Sequence, residues 1–235
     1  MRSTRLAAAG AAFMLAALLA GCGGSSNKAT TSTAAAGGSS NAATTSTATA
    51  TKTGCTVVAS PPAMPAGKLK KPTTVLDKSK TYDVTIVTNC GSFTFRLDQA
   101  QSPHATASFV SLVQRGFFNK TVFHRIAVGF VIQGGDPTGT GSGGPGYETV
   151  DTPPASANYT HGVVAMAKTQ TEAPGTAGSQ FFVVTAPNAG LTPDYAIIGK
   201  VTKGLAVVDR IGTLGDANQA PTMVVEIIQA TVKES

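Results

Sequence analysis

The sequence predicts a mainly β domain, folded as a closed eight-stranded antiparallel barrel capped by two helices. Three observations point to this fold class. Residues 82–97 alternate between apolar and polar side chains around a turn, as a hairpin does. Further apolar runs have the length of strands and are bounded by Gly, Pro or Asn, whereas only two segments have the features of helices. Many short strands with few helices are typical of a closed barrel, because closure removes the exposed edges of a sheet.

The elements follow one another from residue 81 onward. The hairpin turns at Asn89, Cys90 and Gly91, and a helix then begins at Ser102 and Pro103 and ends at Gly116. A second short helix is predicted over residues 205–211. The remaining strands are predicted over residues 121–126, 130–133, 163–167, 181–185, 196–201 and 223–232.

The composition excludes several classes of protein. Charged residues make up 13% of the 235 residues, which is too few for a coiled coil or a charged disordered chain, and 42% are hydrophobic, enough for one sizeable core. The net charge of +6 invites a nucleic-acid partner, but residues 1–60 carry +4 of it and hold no acidic residue. The remaining 175 residues are near neutral, so no nucleic-acid interface is expected.

The N-terminus is typical of an export signal. Arg2 and Arg5 precede an uncharged apolar run over residues 6–20, which is shorter than the roughly 20 residues that span a bilayer. The run ends in Leu-Ala-Gly before Cys22, which resembles the lipobox of bacterial lipoproteins, where the cysteine carries diacylglycerol. We therefore predict a signal peptide over residues 1–21, a lipid anchor at Cys22 and an extracytoplasmic, membrane-attached protein. An ordinary signal peptide with a chance cysteine is the alternative.

Three further segments follow the signal. Residues 22–53 consist almost entirely of Gly, Ser, Thr, Ala and Asn and are predicted to be a disordered linker. Residues 54–80 contain four prolines and are predicted to be an extended lead-in segment, and residues 81–235 form the folded domain. Cys55 and Cys90 remain after lipidation, and an exported chain favours a disulfide between them, with two free thiols as the alternative.

Two features that often indicate a bound nucleotide or metal do not do so in this sequence. Residues 139–144 match a GxGxxG pattern, but Pro145 and Gly146 follow, so no helix N-terminus is available for a pyrophosphate. His104, His124 and His161 lack the spacing of metal ligands. The sequence therefore predicts neither a nucleotide cofactor nor a metal.

The informative stretches are FHRI at residues 123–126, GFVIQGGD at residues 129–136 and GSQFF at residues 178–182. Together with GSGGPGY at residues 141–147, they resemble the cyclophilin family of peptidyl-prolyl cis-trans isomerases, and the resemblance runs from about residue 82 to residue 232. It implies an eight-stranded antiparallel barrel capped by two helices, no cofactor and proline-containing polypeptides as substrates. A monomer is expected.

The resemblance also assigns roles to single residues. Arg125 matches the catalytic arginine of the family. The substrate-binding residues that it implies are Phe130, Val131, Gln133, Met166, Ala167, Lys168, Gln180, Phe182, Leu191 and Tyr195. Four positions depart from the usual pattern: Val131 replaces Met, Lys168 replaces Asn, Gly190 replaces Trp and Tyr195 replaces His. These departures leave open a second hypothesis, a weakly active or inactive module that binds proline peptides at the membrane.

Overall fold

The computed structural model describes residues 53–235, which lie in one compact unit. The predicted signal peptide, the lipidated Cys22 and the linker up to residue 52 lie outside the described residues. None of the helices formed by residues 53–235 is long and apolar enough to cross a membrane.

Two helices and eleven strands make up the described domain. The helices are α1 (Pro103–Gln114) and α2 (Leu205–Gly212). The strands are β1 (Tyr82–Thr88), β2 (Gly91–Leu97), β3 (Thr121–Val122), β4 (Arg125–Ala127), β5 (Val131–Gly134), β6 (Thr149–Val150), β7 (Val163–Met166), β8 (Thr176–Ala177), β9 (Phe181–Val184), β10 (Ile197–Lys203) and β11 (Glu226–Glu234).

The main sheet has nine strands and is open, which corrects the predicted closed barrel of eight. Its order is β3-β11-β1-β2-β10-β7-β9-β5-β4, and β6 pairs with β8 in a separate small sheet. The two ends of the main sheet, β3 and β4, are consecutive along the chain and are joined by only Phe123 and His124. The Phe123 N–H donates to Val225 O and the Ile126 N–H donates to Gln219 O, so both segments bond to the C-terminal part of the chain instead of to each other. The strand predicted over residues 121–126 is therefore two strands.

The sheet has an apolar cluster on each face. The inner cluster is centred on Phe109, Phe118 and Phe181, whose ring centroids lie 4.7–5.8 Å apart, and both helices contribute to it. The outer cluster includes Val131, Ala165 and Phe182. Because side chains alternate between faces along a strand, one run such as Phe181–Val184 supplies both clusters.

Helix α1 begins at the predicted position but is capped differently. Ser102 makes no side-chain capping bond to the helix, and its Oγ donates to Ile197 O instead. The Asp151 carboxylate accepts the Ala105 N–H at 2.6 Å, so a residue distant in sequence satisfies one of the free helix donors.

The lead-in segment (residues 54–80) lies along the domain. A disulfide joins Cys55 to Cys90, and both cysteines are buried. The Thr56 N–H donates to Asn89 O, and Leu69 and Leu76 pack against the inner cluster. The segment therefore contacts the hairpin at one end and the core further along.

Candidate active site

The register of four neighbouring strands places the central predicted residues on one face. Arg125 on β4 lies opposite Gln133 on β5, Gln133 lies opposite Phe182 on β9, and Phe182 lies opposite Ala165 on β7. Directly opposed residues of antiparallel strands share a face. Arg125, Gln133 and Phe182 therefore form a row across the outer face of the sheet.

Beside this row lie the apolar residues that the resemblance assigns to substrate binding, and we call them the apolar pocket. Val131 and Phe182 are buried, and the others are half-buried: Phe130, Ala167, Leu191 and Tyr195. The Phe182 and Tyr195 rings meet edge to face with centroids 5.5 Å apart. Six residues that the resemblance assigned to substrate binding thus belong to one outer cluster.

Met166 is the exception among the predicted binding residues. Its side chain is fully buried in the inner cluster, on the face opposite to that of Ala165 and Ala167. The alternation of β7 explains this placement, because neighbours along a strand point to opposite faces. Met166 therefore packs inside the sheet, and its side chain does not line the pocket.

The Arg125 guanidinium is held by two amide oxygens. Its Nε donates to Gln219 Oε1 at 2.7 Å and its Nη1 donates to Gln133 Oε1 at 3.0 Å. Its Cζ lies 6.0 Å from the centroid of the Phe130 ring. Within residues 53–235 it forms no ion pair, and its Nη2 makes no hydrogen bond. The charge is therefore oriented without being neutralised, close to the half-buried Phe130 ring.

A chain of amides continues from Arg125 to a glycine-rich loop. Gln133 Nε2 donates to Gln180 Oε1 at 3.1 Å, and Gln180 Nε2 donates to Gly141 O at 2.8 Å and to Gly143 O at 3.1 Å. In both glutamines the amide oxygen therefore faces Arg125 and accepts, and the amide nitrogen faces the glycine-rich loop and donates. We call residues 137–146 the glycine loop.

A groove of about 650 Å³ lies between the glycine loop and residues 167–172, with Gln133 and Gln180 on its wall. Lys168 lines it, and its Nζ donates to Thr169 O and Glu172 O and lies 5.5 Å from the centroid of the Tyr195 ring. A second cavity of about 740 Å³ lies beside Leu97 and Ile197 and contains none of the predicted site residues. The groove next to Gln133 adjoins the apolar pocket through Ala167, which lines the groove and packs against the outer cluster.

Two titratable side chains near the site, His124 and Asp136, have shifted pKa values. Burial lowers the pKa of His124 below its ordinary 6.5, and its two ring nitrogens have no hydrogen-bond partner among the described residues. Burial alone would raise the pKa of Asp136, at the base of the glycine loop, but hydrogen bonds from Thr138 and from the N–H groups of Gly143 and Gly141 outweigh it and lower that pKa. His124 is therefore neutral and Asp136 ionised near pH 7.

Sequence reasoning missed two residues that support the site. Gln219, which accepts from Arg125 Nε, lies in an exposed loop after α2. Tyr159 is fully buried beneath the pocket, where its hydroxyl donates to Tyr195 O and accepts from the Tyr195 N–H. Burial raises the pKa of Tyr159, so the phenol stays neutral. Neither residue belongs to a periodic pattern or a motif.

No group of three or more His, Cys, Asp or Glu side chains converges anywhere in residues 53–235. His104 and His161 instead bond singly to Asp151 and Asp209.

Comparisons with known proteins agree with this geometry. The family described as cyclophilin type peptidyl-prolyl cis-trans isomerase/CLD matches residues 83–232. A peptidyl-prolyl cis-trans isomerase-like 1 from Neurospora crassa is 40% identical over 155 residues, which are 64% of this chain and 93% of the relative. A protein of the same name from Bos taurus is 39% identical over 159 residues, or 66% and 94% of the two chains.

A crystal structure of a cyclophilin type peptidyl-prolyl cis-trans isomerase from Cryptosporidium parvum has the same fold. It superposes with a TM-score of 0.60 at 33% identity and covers 65% of this chain and 98% of its own. The names of these relatives say nothing of a lipid anchor, so the anchor at Cys22 stays a prediction. Because the family match spans most of the chain and the relatives are matched over nearly their whole length, this protein belongs to the cyclophilin-type peptidyl-prolyl cis-trans isomerase family.

Proposed function

We propose that this protein accelerates rotation about Xaa-Pro bonds in exported polypeptides and that Arg125 is the catalytic residue. One observation carries the proposal: a guanidinium held by two amide oxygens, with no carboxylate partner in residues 53–235, lies 6.0 Å from the centroid of the half-buried Phe130 ring of the apolar pocket. The pocket residues Phe130, Phe182 and Leu191 suit a proline ring, and the adjoining groove suits the polypeptide on either side of it.

The reaction breaks no covalent bond. Resonance resists rotation about the amide with a barrier of about 18–20 kcal/mol, and uncatalysed exchange takes tens to hundreds of seconds. In the twisted transition state the conjugation is lost, and the prolyl nitrogen becomes pyramidal and gains a lone pair. Arg125 can donate to that nitrogen only as the lone pair forms, so the interaction is stronger in the transition state than in the ground state, which is what catalysis requires.

Arginine suits this role better than lysine. Its guanidinium is planar and permanently charged, so two donors can stay on Gln133 and Gln219 while Nη2 points elsewhere. A hydrogen bond from a charged donor contributes about 1.5–3 kcal/mol net, which corresponds to roughly one to two powers of ten in rate. The rest must come from the pocket, because an apolar environment withdraws the solvation that favours the planar, dipolar amide over the twisted one.

The activity is tested by exchange spectroscopy on an Ala-Pro peptide with the purified domain. We expect faster cis-trans exchange at catalytic concentrations of protein. Binding without faster exchange would contradict the enzymatic role and favour the alternative, a proline-peptide binding module.

We also propose that the chain acts outside the cytoplasm, anchored through acylated Cys22, with residues 23–53 as a flexible tether. The support is the apolar run that ends before Cys22 and the tether's lack of apolar periodicity. A stable anchor needs two or more acyl chains, which a lipoprotein cysteine carries.

Labelled fatty acid tests the anchor in cells that express the full chain. The label should enter the wild-type protein and be absent from Cys22→Ala. Equal labelling of the two proteins, or no labelling of the wild type, would overturn the anchor without bearing on the isomerase activity.

A further inference from the structure

The lead-in segment bonds to the glycine loop along its backbone. The Met64 N–H donates to Pro137 O at 2.9 Å, the Gly67 N–H donates to Gly144 O at 2.8 Å and the Leu69 N–H donates to Pro145 O at 2.9 Å. These donors lie before residue 83, where the family match begins. A part of the chain outside the family match is therefore attached to one wall of the substrate groove.

The attachment leaves no spare room. A Cβ added at Gly67 would lie 2.9 Å from the Pro145 carbonyl oxygen, and one added at Gly146 would lie 2.3 Å from the Gly67 carbonyl oxygen. Leu69 packs against the inner cluster and ties the same stretch to the core. A change in the path of residues 64–69 must therefore move the glycine loop.

The glycine loop in turn orients the amides of the site. The buried Asp136 carboxylate accepts the N–H groups of Thr138 at 2.7 Å and Gly141 at 2.6 Å, which sets the path of the loop. The carbonyl oxygens of Gly141 and Gly143 then accept both hydrogen bonds of the Gln180 amide nitrogen. The next contacts are Gln180 to Gln133 and Gln133 to Arg125.

We propose that residues 64–69 of the lead-in segment are a positioning element for the isomerase site. They hold the glycine loop, and through it Gln180, so that the groove has the width that an extended polypeptide needs. This inference deepens the proposed function and rests on it. The lead-in residues do not contact the reacting bond and act only through the loop. Gln180 bonds to the glycine loop directly, whereas Arg125 is reached only through Gln180 and then Gln133. A change in residues 64–69 should therefore affect substrate binding more than the turnover of bound substrate.

Gly67→Ala is the sharpest test, because its φ is not left-handed and the three atoms nearest to the added Cβ all belong to the Pro145 backbone. The matched control is Ala63→Ser, which adds one atom to an exposed residue of the same segment, outside residues 64–69. We expect kcat/KM on an extended proline peptide to fall about tenfold in Gly67→Ala, mainly through KM, since small misplacements of binding groups are costly. We also expect faster hydrogen exchange at the Gly141 N–H and little change in the melting temperature.

The control should match the wild type in both measurements. If Gly67→Ala does not fold, Leu69→Ala loosens the same attachment through its apolar contact, and the same results are expected. Equal KM and equal Gly141 protection in the variant and the control, with an active wild type, would overturn the positioning role alone. An inactive wild type would instead overturn the proposed function. In that case an unchanged rate of hydrogen exchange at the Gly141 N–H in Gly67→Ala would still refute the claim that residues 64–69 hold the glycine loop.

Discussion

Replacing Tyr159 by phenylalanine removes one oxygen and two hydrogen bonds from beneath the proline pocket. The hydroxyl donates to Tyr195 O at 2.7 Å and accepts from the Tyr195 N–H at 2.9 Å. Phenylalanine keeps the ring and its edge-to-face contact with Tyr195, whose centroid is 6.0 Å away. The substitution therefore isolates the two polar contacts.

The magnitude follows from what is left unpaired. A buried donor or acceptor without a partner costs about 1–3 kcal/mol. The Tyr195 backbone is only partly buried, so the lower half of that range applies to each of its two groups, and the total is about 2–4 kcal/mol. For a domain of this size, 1 kcal/mol corresponds to roughly 2–4 °C in melting temperature, so we expect a decrease of about 4–16 °C. Because Tyr195 forms a wall of the pocket, KM should also rise.

Differential scanning calorimetry measures the decrease, with Tyr147→Phe as the matched control. The Tyr147 hydroxyl makes a single side-chain contact, at 3.0 Å to Ser108 Oγ, and that hydroxyl can rotate to another acceptor. The control should therefore lose less than half as much. Equal melting temperatures for Tyr159→Phe and Tyr147→Phe would refute the account of Tyr159 as the support of the pocket.

Three further predictions concern binding, pH and the disulfide. Phe130→Ala should raise KM about tenfold and leave kcat within about threefold in steady-state assays, because it removes apolar binding area without removing an Arg125 donor; a loss confined to kcat would contradict this. Burial lowers the pKa of His124, so the unfolded chain binds a proton that the folded protein does not, and the free energy of unfolding should fall as the pH drops from 7 through 6.5. Urea titrations of His124→Gln should show a flatter dependence between pH 7 and pH 5.5, and an unchanged slope would argue against a buried neutral imidazole. Joint replacement of Cys55 and Cys90 by serine opens a loop of 35 residues and should cost at most about 4 kcal/mol; a melting temperature that reductant does not lower in the wild type would contradict that contribution.

Periodicity was sufficient to predict the first hairpin and the helices. Strands β1 and β2 alternate strictly, and α2 was predicted to within one residue at its end. The two-residue strands β6 and β8 have no periodic signature, because such short segments are defined by their partner rather than by their own sequence. The predicted closure of the sheet is wrong for the same reason. The Ile126 N–H on β4 bonds to Gln219 O instead of to β3, and no local sequence pattern indicates a partner so distant in the chain.

Some residues of the candidate site can likewise be predicted from the sequence and others cannot. Arg125, Gln133 and Phe182 follow from the family resemblance, and strand register then places them in one row. Gln219 and Tyr159 could not be found this way, because each supports the site through one or two hydrogen bonds to residues far away in sequence. Met166 shows the opposite error. The resemblance assigns it to substrate binding together with its neighbour Ala167, but its side chain points into the inner cluster.

Exchange spectroscopy with Arg125→Ala tests the central claim most directly. The account predicts a folded protein whose melting temperature is within a few degrees of the wild type. Its exchange rate on a proline peptide should fall by roughly one to two powers of ten, which is about 1.5–3 kcal/mol of lost transition-state stabilisation. Gln219→Ala, which removes only one oxygen that holds the guanidinium, should lose less. Wild-type exchange in the Arg125→Ala protein would contradict the account.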